Sequence, residues 1–135
     1  AVAFAARLKA EGSSLLRRLD ELAMEFGLHA TDQLSIRVGR LAEIDQMMAR
    51  VRTRPPQQLL GAAASMQDLA PDADVVTLRF DGGRVVIRPS GTEPKLKAYL
   101  EAVLPVGAAG IDAARAEAAS RLAQLRAEIA AALGH

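Results

Sequence analysis

Residues 75–104 constrain the fold more than any other stretch. Val75-Val76-Thr77-Leu78-Arg79-Phe80 and Arg84-Val85-Val86-Ile87-Arg88 flank Asp81-Gly82-Gly83. Both runs are rich in β-branched residues, and Asp-Gly tolerates the positive φ angles of a tight hairpin. A third run, residues 96–104, alternates Leu96, Ala98 and Leu100 against Lys97, Tyr99 and Glu101. Three consecutive strands with such connections predict an antiparallel sheet. Residues 34–38 also alternate and predict a half-buried strand. Residues 41–51 carry Leu41, Ile44, Met47, Met48 and Val51 at helical spacing, and Pro55-Pro56 forbids continuation. Residues 111–133 place Ile111, Ala114, Ala118, Leu122, Leu125, Ile129 and Leu133 on one face. Asp112 is the expected cap of that helix, with Ile111 as a staple. Residues 57–73 are weakly patterned and read as a short strand near Leu59-Leu60 followed by a loop. The succession strand, helix, antiparallel strands, helix predicts an α+β domain with two helices on one face of the sheet.

A helical hairpin is expected ahead of this unit. Residues 1–11 have Val2, Phe4, Ala5 and Leu8 in helical register, stopped by Gly12. Ser13 or Ser14 caps the next helix, whose stripe is Leu15, Leu16, Leu19, Leu22, Ala23 and Phe26, ended by Gly27. Such a pair has few apolar neighbours of its own, so it must lean on something else. The chain starts at Ala1 without Met and runs at once into this pattern, as a piece of a longer chain would.

The length of 135 residues suits one domain of ordinary size. Lys plus Arg is 17 and Asp plus Glu is 16, a balance that lacks the charge footprint of a nucleic-acid binder. Aromatics are 3%, too few for base-stacking platforms. The absence of Cys excludes a disulfide framework, a thiolate metal site and a cysteine nucleophile. His29 and His135 are too few for a His-rich metal cluster. No apolar run reaches the roughly 18 residues of a membrane span, and no leader pattern is present, so the expected compartment is the cytoplasm.

The connection between the second and third strands carries the chemistry. It reads Arg88-Pro89-Ser90-Gly91-Thr92-Glu93-Pro94-Lys95. Gly91 lets the backbone turn so that successive N–H groups point inward and form an anion nest. Ser90 and Thr92 add hydroxyl donors, and Arg88 presents a planar fork that matches two phosphate oxygens. Lys95 and Lys97 follow on one face of the third strand. Pro89 and Pro94 restrict the loop and lower the entropy lost on binding. Within residues 84–97 the cations Arg84, Arg88, Lys95 and Lys97 face only Glu93 as an acid, a local excess in a chain whose net charge is +1. Pro, Ser, Gly and Thr are ordinary turn formers. Eight residues with two prolines and flanking cations ask for more than a turn.

The string RPSGTEPKLKAYLE resembles the carboxyl-terminal signature of the α-D-phosphohexomutases, the family of phosphoglucomutase and phosphomannomutase, and looks most like its bacterial branch. KAEGSSLLRRLDELAMEFG is similar to the helices that end the family's third domain. LSIRV, EIDQMMARVRTRPP and the Ala-rich last helix match the rest of the fourth domain. The resemblance implies that residues 1–30 end the third domain and residues 31–135 are the fourth, with a fold like the TATA-binding protein. It places Arg88, Ser90, Gly91 and Thr92 where the family binds the substrate phosphate distant from the reaction. Lys97 falls where many members have a second cationic ligand, often Arg; Lys is a point charge without the fork. Lys95 is a supporting residue.

The implied reaction interconverts hexose 1-phosphate and 6-phosphate through a bisphosphate, with a phosphorylated Ser, Mg²⁺ and a hexose bisphosphate activator. The Ser motif, the Asp-rich metal loop and the sugar-selecting loop belong to the family's first three domains, and none is found in this sequence. The resemblance thus implies a phosphohexose substrate, the enzyme's own first three domains as partners, and no mutase activity for this chain alone. No catalytic or metal-ligating residue is assigned here. Two other readings compete: an independent phosphosugar-binding module, and a structural or assembly domain that self-associates through its amino-terminal helices.

The remaining polar residues read as structural. Asp68, Asp72, Asp74 and Asp81 suit a solvated loop better than a metal site. His29 is expected at an element boundary, Met47-Met48 in the core, and Arg50, Arg52 and Arg54 at a solvated helix end.

Overall fold

The structure is a computed structural model that describes residues 27–135 together with Arg17 and Arg18. The expected helices over 1–11 and 13–26 otherwise lie outside the described residues, and with them the expected self-association surface. The elements are β1 (Leu28–Arg37), α1 (Leu41–Thr53), β2 (Gln58–Leu59), β3 (Ala62–Asp68), β4 (Val76–Phe80), β5 (Gly83–Pro89), β6 (Lys95–Leu104) and α2 (Ile111–Ala132). The strands form one sheet in the order β1-β6-β5-β4-β3-β2. Every neighbouring pair is antiparallel.

Period-two alternation divides the sheet into two chemically distinct faces. Along β6, Leu96, Ala98, Leu100, Ala102 and Leu104 are buried, and the residues between them are not. Leu34 and Ile36 of β1, Leu78 of β4, and Val85 and Ile87 of β5 join them. The helices supply the other layer through Ile44, Met48 and Val51 of α1, Leu122, Leu125 and Ile129 of α2, and Leu133 just beyond it. The α+β architecture therefore follows from alternation in the strands and a 3.6-residue stripe in each helix. No helix among the described residues is long and apolar enough to cross a membrane.

Several expectations need correction. β1 starts at Leu28, so its pairing with β6 runs from Leu28↔Leu104 to Arg37↔Lys95. His29 is accordingly a strand residue, its Nδ1 3.1 Å from Glu101 Oε1. Much of the stretch expected as a loop at 57–73 is strand. β3 pairs with β4 from Ala64↔Phe80 to Asp68↔Val76, burying little because its side chains are small or polar. The turn into β3 uses Leu60 at φ 51° and Gly61 at φ 79°, left-handed values that few non-glycine residues adopt. Glu128 of α2 holds this turn by accepting the Leu60 N–H at 3.1 Å.

Asp112 does not cap α2. The cap position is Gly110, at φ 92°, without a side-chain hydrogen bond. Asp112 stands in the first turn, where its charge suits the positive end of the helix dipole. Leu41 is 60% exposed because it opens α1 beside the β5–β6 loop instead of over the sheet. Arg52 is not a solvated helix end. Its Nη2 donates to Asp74 at 2.7 Å and its Nε to Asp68 at 3.2 Å, which ties α1 to the β3–β4 connection.

Candidate functional site

The site follows from the β5–β6 register. Arg88 pairs directly with Lys97, and Val86 with Tyr99. All four side chains lie on the sheet face turned away from the helices, since Ile87, Ala98 and Leu100 take the buried face. Pairing persists one step past β5, where the Ser90 N–H donates to the Lys95 carbonyl at 2.8 Å. The loop therefore leaves and re-enters the sheet beside Arg88 and Lys97. Pro94 closes a tight turn in which the Lys95 N–H reaches the Glu93 carbonyl at 2.7 Å. The Val38 N–H donates to the Pro94 carbonyl at 2.9 Å and pins the loop to the end of β1. Arg37 adds an ion pair to Glu93 at 3.4 Å; both side chains are largely exposed, so it contributes little energy.

Arg88, Ser90, Gly91, Thr92, Lys95 and Lys97 are thus brought together at one end of the outer face. The amides of Gly91, Thr92 and Glu93 meet no acceptor among the described residues, and neither lysine has an acidic partner there. The expectation for Gly91 is corrected in its reason. Its φ lies outside the left-handed region, and a Cβ on it would meet nothing within 4 Å. Open space over the loop tip, not backbone strain, is what a side chain there would fill. On the helix side a groove of about 490 Å³ separates Pro89, Ser90 and Gly91 from Leu41, Ile44 and Asp45 of α1.

Sequence reasoning missed Tyr99. The Arg88 guanidinium carbon stands 5.6 Å from the centre of its ring, and Arg88 Nη2 donates to its hydroxyl at 3.4 Å. The hydrogen bond from Arg88 pulls the phenol below the usual tyrosine range. The charges of Arg88, Lys97 and Lys95 act in the same direction, and partial desolvation opposes them. The signal was present in the alternation, since Tyr99 follows Lys97 by two positions on the same face. Further along the strands Glu101 accepts from Arg84 at 3.1 Å and contacts His29. The bond to His29 is the main reason its carboxyl is held below the ordinary range, with the Arg84 charge adding to it and burial opposing.

Among the described residues no group of three His, Asp or Glu side chains could hold a metal ion. Asp68 and Asp74 are engaged by Arg52 instead.

The domain is thus an antiparallel sheet covered by helices on one face, with a cation-flanked Ser-Gly-Thr loop joining β5 to β6. The phosphoglucomutase/phosphomannomutase C-terminal domain family matches residues 37–118, and this chain belongs to that family. It is 40% identical over 100 residues to a protein of Haemophilus influenzae described as a probable phosphomannomutase, covering 70% of this chain and 21% of that protein. It is 27% identical over 125 residues to a phosphoglucomutase of Staphylococcus aureus strain bovine RF122 / ET3-1, covering 77% and 23%. The chain thus spans about a fifth of the length of these relatives.

Proposed function

We propose that the loop from Arg88 to Lys97 binds the phosphate of a phosphohexose, and that this chain acts as the last domain of a cytoplasmic phosphohexomutase. One observation carries the reading. Arg88 and Lys97 are like charges held directly opposite each other, and among the described residues no acid pairs with either and the neighbouring loop amides have no acceptor. Like charges directly opposite across a ladder destabilise a sheet, and a phosphate dianion relieves that cost.

In this reading Arg88 supplies the bidentate fork, Lys97 a point charge, and Ser90, Gly91 and Thr92 hydroxyl and amide donors. Lys95 supports the field. None of them makes or breaks a bond. Gripping the phosphate distant from the reaction closes this domain on the substrate and fixes the sugar in line for transfer elsewhere. Remote binding energy then appears in the turnover of the reacting end. Residues 1–30 are assigned to the preceding domain; the sheet itself already takes in residues 28–30 through β1. The phosphorylated Ser, the Mg²⁺ site and the response to a bisphosphate activator are assigned to the first three domains. Among the described residues no group of His, Asp or Glu side chains could hold that metal.

The test is kcat/KM for hexose 1-phosphate in the full-length enzyme that carries this domain. A hydrogen bond to a charged group contributes about 1.5–3 kcal/mol, so Arg88→Ala should lower kcat/KM by roughly ten- to a hundredfold. Ser90→Ala, which removes one neutral hydroxyl, should cost about fivefold. Arg84→Ala, on the same face but paired to Glu101, should stay within about twofold of the parent. An unchanged kcat/KM in a folded Arg88→Ala enzyme overturns the reading.

A further inference from the structure

We propose that Tyr99 is a positioning residue and a ligand of the anion site. Its ring carries the Arg88 guanidinium, and its phenol proton donates to the phosphate held by the loop. The inference rests on the phosphate-binding reading and adds a group outside the Ser-Gly-Thr loop.

Tyr99 and Val86 are direct partners, and Arg88 lies one diagonal step from Tyr99 on the adjacent strand. The guanidinium over the ring at 5.6 Å is within cation–π range. A second restraint comes from the same guanidinium, whose Nη2 donates to the Tyr99 hydroxyl oxygen at 3.4 Å. Arg88 is exposed, and no acid holds it among the described residues, so Tyr99 is what limits its rotamers. A guanidinium already oriented loses less entropy on taking a phosphate.

The hydroxyl has a second use. Its oxygen accepts from Arg88, so its own proton points elsewhere and finds no acceptor among the described residues. Lys97 lies two positions away on the same face, roughly 6.6 Å along the strand. An anion centred between Arg88 and Lys97 is therefore flanked by the loop on one side and by the phenol on the other. Tyr99 is 37% exposed on the face away from the core, so a buried packing role does not account for it.

The chain provides its own probe, because Tyr99 is its single tyrosine and it has no tryptophan. Inorganic phosphate is titrated into the 135-residue chain at neutral pH. The ring resonances of Tyr99 and the amide resonances of Gly91 and Thr92 are followed together. The expected result is one shared midpoint, an affinity five- to tenfold weaker in Tyr99→Phe, and a larger loss in Tyr99→Leu. In an Arg88→Ala background the added loss from Phe to Leu should vanish, since the ring then has no guanidinium to hold. A purely structural role would not couple the two sites. Wild-type affinity in Tyr99→Phe, or loop amides that respond while the ring does not, overturns this inference and leaves phosphate binding standing. A chain that binds no phosphate, or binds it equally with Arg88→Ala, overturns both.

Discussion

Two cross-strand pairs on β5 and β6 have opposite characters although they stand on the same face of the same ladder. At one end Arg84 faces Glu101, and the 3.1 Å contact satisfies both charges, with His29 as a further neighbour of the carboxylate. At the other end Arg88 faces Lys97, and an aromatic ring instead of an acid steadies the arginine. Arg79 also faces Arg84 across the β4–β5 pair, but the Glu101 carboxylate takes up that charge. The first end is electrostatically closed, and what it contributes is stability. The second is left open, with no acid among the described residues paired to either cation. The same backbone register thus builds an ion-paired end and an open end, and one acidic residue makes the difference.

Changes at the closed end should damage the fold and spare binding. Gly83 is the sharpest case, because a Cβ there would run into the Glu101 carbonyl oxygen and the Phe80 ring. Overpacking of this kind costs about 1–3 kcal/mol, so Gly83→Ala should lower the urea midpoint by that equivalent. The molecules that remain folded should keep their phosphate affinity.

Changes at the open end should do the reverse. Lys97→Glu turns the like-charged pair into an opposite-charged one. Stability in urea should rise by roughly 0.5 kcal/mol, while phosphate binding is lost. A variant that gained no stability would show that Arg88 and Lys97 do not repel each other in the free chain.

The smallest effect is a pH dependence. Glu101 is held below the ordinary carboxylate range in the folded chain. Its contribution is therefore complete above the unfolded-state value near 4.5 and is lost as pH falls through the lower folded value. The pair is partly exposed, so the loss should be a few tenths of a kcal/mol. Comparing urea midpoints at pH 6 and pH 3, the wild type should lose more than Glu101→Gln. An equal loss would remove Glu101 from the closed end.

The parts of this arrangement that could be read from the sequence are those where side chains alternate strongly. β4, β5 and β6 declare themselves through runs such as Val85-Val86-Ile87, and Asp81-Gly82 marks their hairpin, with Gly82 at φ 102°. α1 and α2 show their stripes. β3 was hidden because Ala62, Ala64 and Met66 bury little, and its place depends on backbone pairing with β4. The first half of β1 was hidden for the same reason, since Thr31, Asp32 and Gln33 are held by β6 and not by a core. Within the candidate site, the loop residues from Arg88 to Lys97 stood out in the sequence as a cation-flanked Ser-Gly-Thr set. The alternation put Tyr99 on the face of Lys97, but its contact with Arg88 was not legible, because it depends on which residue of β6 stands diagonal to Arg88. Nor was the engagement of Arg52 with Asp74, which depends on where the β3–β4 connection falls.

The long ladder between the first and last strands sets the order in which this molecule can assemble. β4, β5 and β6 are neighbours in sequence and can zip as two successive hairpins, but β1 must wait for a distant partner, its pairs running from Arg37↔Lys95 to Leu28↔Leu104. Closing so distant a contact is slow, because chain entropy is lost before any pairing compensates for it. On a ribosome, residues 28–37 emerge early and stay without a strand partner until 95–104 have been made. The bond from Val38 to the Pro94 carbonyl belongs to that last event. The β5–β6 loop therefore acquires its anchor to the end of β1 only once β6 has been made and paired.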